Sequence, residues 1–184
     1  MDINETIEVL KSGGTILYPT DTIWGLGCDA TNDDSCKKII EIKERPEEKS
    51  FIVLVDSIQM LEKYVPDFHQ VCYDLIDYTD KPLTIIYPSA KGLAPSVLAK
   101  DGTVGIRVTK DENCIKLIRG LKRPIVSTSA NVSSEQSPKS FQDINDSIKK
   151  KVDGILELRL TETMSKPSQI IKIDLSGNVK VIRQ

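Results

Sequence analysis

The sequence predicts an α/β domain built on a twisted, open mixed sheet with helices on its faces. Short apolar runs typical of strands alternate with segments of helical periodicity along most of the 184 residues, and several strands follow one another near the end. No change of composition marks a linker. Because 39% of the residues are hydrophobic and few are aromatic, we expect one mainly aliphatic core and one domain over residues 1–184.

Breaker residues separate the first predicted elements. A helix over 3–10 ends at the Gly13-Gly14 pair, and a strand over 15–18 ends at Pro19. A second helix begins at Asn32 or Asp33 and ends before Pro46. Its apolar stripe comprises Cys36, Ile39 and Ile40 and ends at Lys43, whose ammonium group either reaches solvent or points into a site.

The rest of the chain repeats the same pattern of short elements. Further strands are predicted over 51–55, 83–87, 104–108, 124–126, 155–158, 169–174 and 179–183. Further helices are predicted over 58–64, 68–78, 112–121 and 141–150. Residues 92–98 are expected to form a loop with a short helix, residues 133–139 a mobile polar loop, and residues 174–178 a hairpin turn.

Charge and cysteine content limit the function classes. A formal net charge of −2 argues against a general RNA-coating protein, whose affinity depends on a strong positive field, but it permits a small polyanion such as ATP. The four cysteines lack metal-ligand spacing and there is one histidine, so we expect reduced, buried cysteines in a cytoplasmic protein and no structural zinc. The amino-terminal sequence predicts neither a signal peptide nor a membrane span.

Three polar segments are the candidate functional sites. Thr20-Asp21-Thr22 fits either a capping turn or a pocket for a small polar molecule. Lys43, Arg45 and Lys49 fit either a solvated charged face, which the interleaved glutamates favour, or a phosphate clamp. The hydroxyl run from Ser127 to Ser129, with Asn131, fits either capped structure or a binding surface for a carboxylate or phosphate.

Two arginines carry the same ambiguity. Arg107 interrupts an apolar strand, so it either faces outwards from a half-exposed strand or serves as an anion receptor. Arg183 is by itself typical of a solvated end. Neither a Rossmann fingerprint nor a P-loop motif is present, and no GxSxG element accompanies His69, which makes a Ser-His-Asp hydrolase improbable.

Taken together, these segments resemble the YrdC-like family, the threonylcarbamoyl-AMP synthases, over about residues 13–183. The resemblance rests on the ordered set PTDTIWGLGCDATN (19–32), KERPEEKSF (43–51), PLT (82–84), VGIRV (104–108), STSAN (127–131) and PSQII (167–171). It implies a large concave, positively lined cavity. It further implies that L-threonine, bicarbonate and ATP, the last with Mg²⁺, are joined into threonylcarbamoyl-AMP with release of pyrophosphate.

The resemblance also assigns roles to residues and partners. Lys43 and Arg45 are implied as the catalytic pair that holds the ATP phosphates. The other implied ATP contacts are Lys49, Thr84, Ser129, Asn131, Ser137 and Arg183, and the implied threonine contacts are Thr22, Arg107, Ser127 and Ser168. A downstream transferase complex would carry the threonylcarbamoyl group to adenosine 37 of tRNAs that read ANN codons, and the family allows a weak direct contact with tRNA.

The chain departs from the family pattern at a few positions. Leu54 stands near where a histidine is common, and Trp24 stands where tyrosine is common. Lys49-Ser50-Phe51 stands where KPL is usual, and Val132-Ser133-Ser134 follows the SAN element, which SG often follows in the family. Three other readings are a non-catalytic RNA-binding module, a carbamoyl-adenylate domain of hydrogenase maturation, and a subunit without activity. The missing cysteine motifs argue against the second and the retained polar residues against the third.

Overall fold

The computed structural model of the protein describes residues 1–44, 50–133, 135–164 and 166–184. The helices are α1 (Ile3–Lys11), α2 (Asp33–Lys43), α3 (Ile58–Tyr64), α4 (Val71–Tyr78), α5 (Glu112–Leu121) and α6 (Asp146–Lys151), with a 3₁₀ turn at Pro95–Val97. The strands are β1 (Ile16–Pro19), β2 (Trp24–Gly27), β3 (Ile52–Val55), β4 (Leu83–Tyr87), β5 (Val104–Val108), β6 (Ile125–Ser129), β7 (Gly154–Ile155), β8 (Gln169–Ile173) and β9 (Val179–Arg183).

Within the described residues, the strands form one nine-stranded sheet in the order β7-β1-β2-β6-β3-β5-β4-β8-β9. The pairs β1–β7, β3–β5 and β4–β8 are parallel, and the other neighbours are antiparallel. The predicted α/β class with a mixed sheet is therefore confirmed.

Local side chains determine where the helices begin. Asp2 and Glu5 form a reciprocal capping box at α1, with both hydrogen bonds 2.9 Å long. Asn32 caps α2 by accepting from the amide of Ser35, and α2 ends at Glu44 in a left-handed conformation, φ 50°. No helix among the described residues is both long and apolar enough to cross a membrane.

The two faces of the sheet carry separate hydrophobic clusters. The first cluster joins the strands to α2, α3 and α4 and includes Val53, Trp24 and Leu61. The second joins them to α1 and α5 and includes Leu54 and Tyr18. Neighbouring residues of β3 thus enter opposite clusters, as expected for a strand covered on both faces. All four cysteines are free and buried, which confirms their interpretation as small hydrophobes.

Several predicted boundaries were wrong. Residues 24–27, for which no strand was predicted, form β2, whose two glycines weaken the strand signal. The strand predicted over 124–126 continues to Ser129, so the hydroxyl run belongs to β6. The helix predicted over 141–150 begins only at Asp146, capped by Asn145, because Phe141 packs on Trp24 with ring centroids 5.0 Å apart.

Smaller differences affect two other elements. Helix α4 starts at Val71 and not at residue 68. Phe68 lies before the helix, and its ring packs against the rings of Tyr73 and Tyr87. The strand predicted over 155–158 is reduced to the two-residue β7. The short helix within 92–98 and the turn at 174–178 are confirmed, the latter by Asp174 accepting from the amides of Ser176 and Asn178.

Candidate active site

A polar cavity of about 360 Å³ opens on one face of the sheet. Ile52 both lines it and packs against the second hydrophobic cluster, so the cavity lies on the face that also carries α1 and α5. Residues two apart on a strand share a face, and the lining residues follow that rule on β4, β5 and β6. They include Thr84 and Ile86, Gly105 and Arg107, and Ser127 and Ser129.

Arg107 is buried in the wall of this cavity, with 3% of its side chain exposed. Its Nη1 donates to Thr22 Oγ1 at 3.4 Å, and its Nη2 lies 3.1 Å from Asp21 Oδ1. Among the described residues, however, neither Nε nor Nη2 makes a hydrogen bond, and neither does Asp21 Oδ1. The ion pair is thus close in distance but not aligned. The burial of Arg107 excludes its interpretation as an exposed strand residue.

A second guanidinium faces the same cavity. Arg183 lines it and donates from Nε to the Ser168 carbonyl at 2.9 Å and from Nη2 to Ser168 Oγ at 3.3 Å. Arg183 is exposed as a whole residue, but partial burial of its guanidinium and then the positive charge of Arg107 lower its pKa. Two arginines that repel each other across a cavity create a site for an anion. Arg183 is therefore not merely a solvated chain end.

Thr84 of β4 contacts Ser168, the residue before the parallel strand β8, at the cavity wall. Their hydroxyl oxygens are 2.9 Å apart, and both side chains are buried. Because Ser168 accepts from Arg183 as well, this pair also fixes the second guanidinium. Ser127, Ser129 and Ser137 line the same cavity.

Lys43 connects the end of α2 to the turn after β6. Its ammonium donates to the carbonyl oxygens of Ser129 at 2.5 Å and Asn131 at 2.6 Å, and only 1% of the residue is exposed. In return, the Lys43 carbonyl accepts from the amide of Ser133. The solvated-face reading is therefore excluded for Lys43. The predicted contacts of Arg45 and Lys49 lie outside the described residues.

Asn131 stabilises the turn in which it stands. Its Nδ2 donates to the carbonyls of Val132 at 3.0 Å and Glu135 at 2.8 Å, while its Oδ1 is buried without a hydrogen bond among the described residues. Leu54, where the family often has a histidine, is fully buried in the second hydrophobic cluster.

A larger cavity of about 530 Å³ lies on the other side of Asp21. Arg159, which has a positive φ of 53°, lines it and binds Asp111 Oδ2 at 2.7 Å and the Thr20 carbonyl at 3.3 Å. Arg159 thus holds the loop that carries Thr22. The sequence analysis did not select Arg159, and it named Asp21 only as part of the Thr20-Asp21-Thr22 segment, without a role of its own.

The fold and the cavity define a class of protein that binds anionic small molecules on an open mixed sheet, and comparison with known proteins specifies the family. The Sua5/YciO/YrdC family model, described as "Telomere recombination", matches residues 8–184. The chain belongs to this family. A threonylcarbamoyl-AMP synthase of Psychromonas ingrahamii is 36% identical over 148 residues, covering 78% of this chain and 77% of the relative. One of Hahella chejuensis is 34% identical and covers 91% of both chains.

Solved structures agree with this assignment. Sua5 of P. abyssi complexed with L-threonine superposes with a TM-score of 0.86 at 26% identity; the match covers 98% of this chain and 53% of that one, so this chain spans about half of its length. YciO of E. coli superposes at 0.84 with 25% identity, covering 99% and 88%. The match to HypF, at 22% identity and 28% of that chain, shows a shared fold.

Proposed function

We propose that this protein is a threonylcarbamoyl-AMP synthase. The relatives that bear this name match most of the chain, and the activity is that of a nucleotidyltransferase. The observation that carries the proposal is the buried Arg107, whose unbonded nitrogens border a polar cavity that also contains Arg183. A buried, incompletely paired guanidinium is costly unless an anion completes it.

L-Threonine is the substrate proposed for the Arg107 end of the cavity. The guanidinium suits the amino-acid carboxylate, since arginine binds carboxylates in a bidentate manner. Thr22, Ser127 and Ser168 supply hydroxyl groups nearby. The threonine bound in P. abyssi Sua5 supports this substrate for the present chain.

ATP is proposed to bind with its phosphates towards Ser129 and the end of α2. Lys43 is already bonded to two carbonyl oxygens, so it supplies a fixed positive charge beneath this turn. The proposed phosphate contacts also include Arg45, Lys49, Asn131 and Ser137, and Thr84 and Arg183 complete the proposed nucleotide site. Mg²⁺ would enter with ATP, because phosphate oxygens are the ligands it prefers.

The proposed reaction requires no protein nucleophile. The threonine ammonium group first releases one proton to solvent; the free amine nitrogen then forms a bond with the carbon of bicarbonate, and water leaves to give a carbamate. A carbamate oxygen then attacks the α-phosphorus of ATP, and the bond to the β-phosphate breaks to release pyrophosphate. Holding the three reactants together lowers the entropic cost, and the cations offset the charge that develops on pyrophosphate.

We further propose that the product serves tRNA modification in the cytoplasm. A partner transferase complex would pass the threonylcarbamoyl group to adenosine 37 of tRNAs that read ANN codons. A net charge of −2 fits a protein that binds a small polyanion and contacts tRNA weakly at most. The alternative, a non-catalytic module that binds tRNA or rRNA in the same cavity, predicts strong and salt-sensitive RNA binding.

The test is pyrophosphate release by the purified protein with ATP and Mg²⁺, with and without L-threonine and bicarbonate. We expect release only with both co-substrates, and its loss in Lys43→Ala and Arg45→Ala. Lys38→Ala is the matched control, because this lysine of α2 is exposed and, within the described residues, donates to the Gly13 carbonyl at 3.2 Å, away from the cavity. A folded protein that releases no pyrophosphate under any combination would refute the enzyme and favour the RNA-binding module.

A further inference from the structure

Two groups of opposite charge lie next to each other without satisfying each other: Arg107 lines the polar cavity, and Asp21, which is partly buried, lines the larger cavity. The Nη2 atom of Arg107 and the Oδ1 atom of Asp21 are 3.1 Å apart, yet neither makes a hydrogen bond among the described residues. An unsatisfied buried donor or acceptor carries its full desolvation cost. A ligand that offers both an acceptor and a donor would remove both costs together.

The open donors of Arg107 specify the acceptor. Its Nη1 is engaged by Thr22, so the two nitrogens that remain are Nε and Nη2. These two point to the same side of the planar guanidinium and form the fork that binds both oxygens of one carboxylate. The free side of Arg107 is therefore shaped for a carboxylate group.

Asp21 specifies the donor. Its Oδ1 lies beside one end of that fork, and 20% of its side chain is exposed, towards the larger cavity. A second carboxylate placed on the fork would meet the negative charge of Asp21 at short range, which is unfavourable unless a cation lies between them. In an α-amino acid the ammonium group is attached to the same carbon as the carboxylate, so it can take that position.

The other charged residues near Asp21, Arg159 and Asp111, bind each other, so Asp21 is the carboxylate placed to accept the ammonium group. Arg159 is engaged by Asp111 at 2.7 Å and by the Thr20 carbonyl, and Asp111 is also the N-cap of α5. Burial raises the pKa of Asp21, while Arg107 lowers it and Asp111 raises it. Arg159 lowers the pKa of Asp21 as well, but less than Arg107 does. Asp21 is thus a largely desolvated carboxyl group that lies 3.1 Å from the Arg107 guanidinium without a hydrogen bond to it.

We propose that Asp21 accepts a hydrogen bond from the α-ammonium group of the amino-acid substrate while Arg107 binds the substrate's carboxylate. Asp21 thereby selects α-amino acids over hydroxy acids that lack the amino group. This inference rests on the proposed function and deepens it. In this proposal Asp21 and Arg107 together bind a zwitterion, and Asp21 disfavours an anion that has no ammonium group.

The test compares two ligands by calorimetry, with and without a non-hydrolysable ATP analogue and Mg²⁺. The ligands are L-threonine and (R)-3-hydroxybutyrate, which is threonine without its amino group. We expect Asp21→Asn to weaken threonine binding about ten- to a hundredfold, the range of a charge-assisted hydrogen bond, and to preserve or improve binding of (R)-3-hydroxybutyrate. Asp80→Asn is the control: it removes a charge from an exposed residue that lines the larger cavity, and it should leave the affinity for both ligands unchanged.

The outcomes separate this inference from the proposed function. If Asp21→Asn weakens both ligands equally, or leaves their ratio unchanged, Asp21 only orients Arg107 and the inference is wrong. If the wild-type protein binds no threonine under either condition, the proposed function fails as well. Should Asp21→Asn not fold, Asp21→Glu retains the charge and must keep the preference for threonine.

Discussion

The ammonium group of Lys43 donates a 2.6 Å hydrogen bond to the carbonyl oxygen of Asn131, 88 positions later in the chain. A second bond from the same nitrogen reaches the Ser129 carbonyl. The end of α2 is thereby tied to the turn after β6, and both segments border the proposed phosphate site. A residue predicted from its motif as a phosphate ligand is thus also an anchor of the backbone around that site.

Replacing Lys43 by methionine is expected to destabilise the protein by about 2–4 kcal/mol, because two buried carbonyl oxygens lose their donor. Pyrophosphate release should fall at the same time. Urea denaturation measures the first effect and the pyrophosphate assay the second. Arginine at this position keeps the charge and should restore part of the stability.

Lys38→Met is the matched control for this substitution. The residue lies on the same helix and donates to one carbonyl, but its side chain is exposed, so we expect a change within about 0.5 kcal/mol. Equal stability of the Lys43→Met variant and the wild type would contradict the anchoring role.

Arg107→Lys should weaken L-threonine binding by about 10- to 100-fold, because lysine offers a point charge and cannot present a planar fork. Calorimetric titration measures this. Arg119→Lys, on the exposed face of α5 beside Asp56, removes a comparable guanidinium from the surface and should bind threonine as the wild type does. Unchanged affinity in Arg107→Lys would place the carboxylate elsewhere.

Local patterns predicted the elements more reliably than the contacts between them. The alternation in β5 correctly separated Arg107 from Ile106, but the sequence left open whether the Arg107 face was covered. Its coverage depends on Asp21 and Thr22, more than 80 positions earlier. No local signal encodes such a contact, because it arises only when β2, β6, β3 and β5 assemble in one sheet.

The same limit applies to Lys43 and Arg183. Interleaved glutamates favoured a solvated face around Lys43, yet the helical stripe that ended at this lysine was the better guide, since the ammonium is buried. The residues next to Arg183 in sequence did not indicate a site. Its position at the cavity results from the pairing of β8 with β9 and from its hydrogen bond to Ser168. The family resemblance supplied these residues where physical patterns did not.

Gly27→Ala is expected to cost about 2–3 kcal/mol of stability, since an added Cβ would lie 2.6 Å from the Val126 carbonyl oxygen and 2.7 Å from Tyr18 Cε1. Both neighbours belong to strands of the sheet, so moving either of them away would disrupt strand pairing. Gly105→Ala is the control, because its Cβ would meet Thr84 Cγ2 at 3.3 Å; we expect a change below about 1 kcal/mol. Thermal and urea denaturation of both variants test this, and equal stabilities would refute the close approach.

Asp33 is expected to stabilise the protein in a manner that depends on pH. Its carboxylate binds Lys37 at 2.8 Å and accepts from the Ser96 amide at 3.0 Å, and these contacts lower its pKa to about 2. A depressed pKa in the folded state gives stability that is complete above the unfolded value, near 3.8, and is lost as the pH falls through about 2.

Asp33→Asn should therefore lower the free energy of unfolding at neutral pH, and the difference from the wild type should shrink between about pH 4 and pH 2. We expect at most about 1 kcal/mol, because solvent screens a partly exposed pair. Urea unfolding at several pH values measures this, and Asp34→Asn controls for loss of a charge in the same helical turn. A carboxyl NMR titration of Asp33 with its midpoint near 3.8 would show that the contacts with Lys37 and Ser96 do not persist in solution.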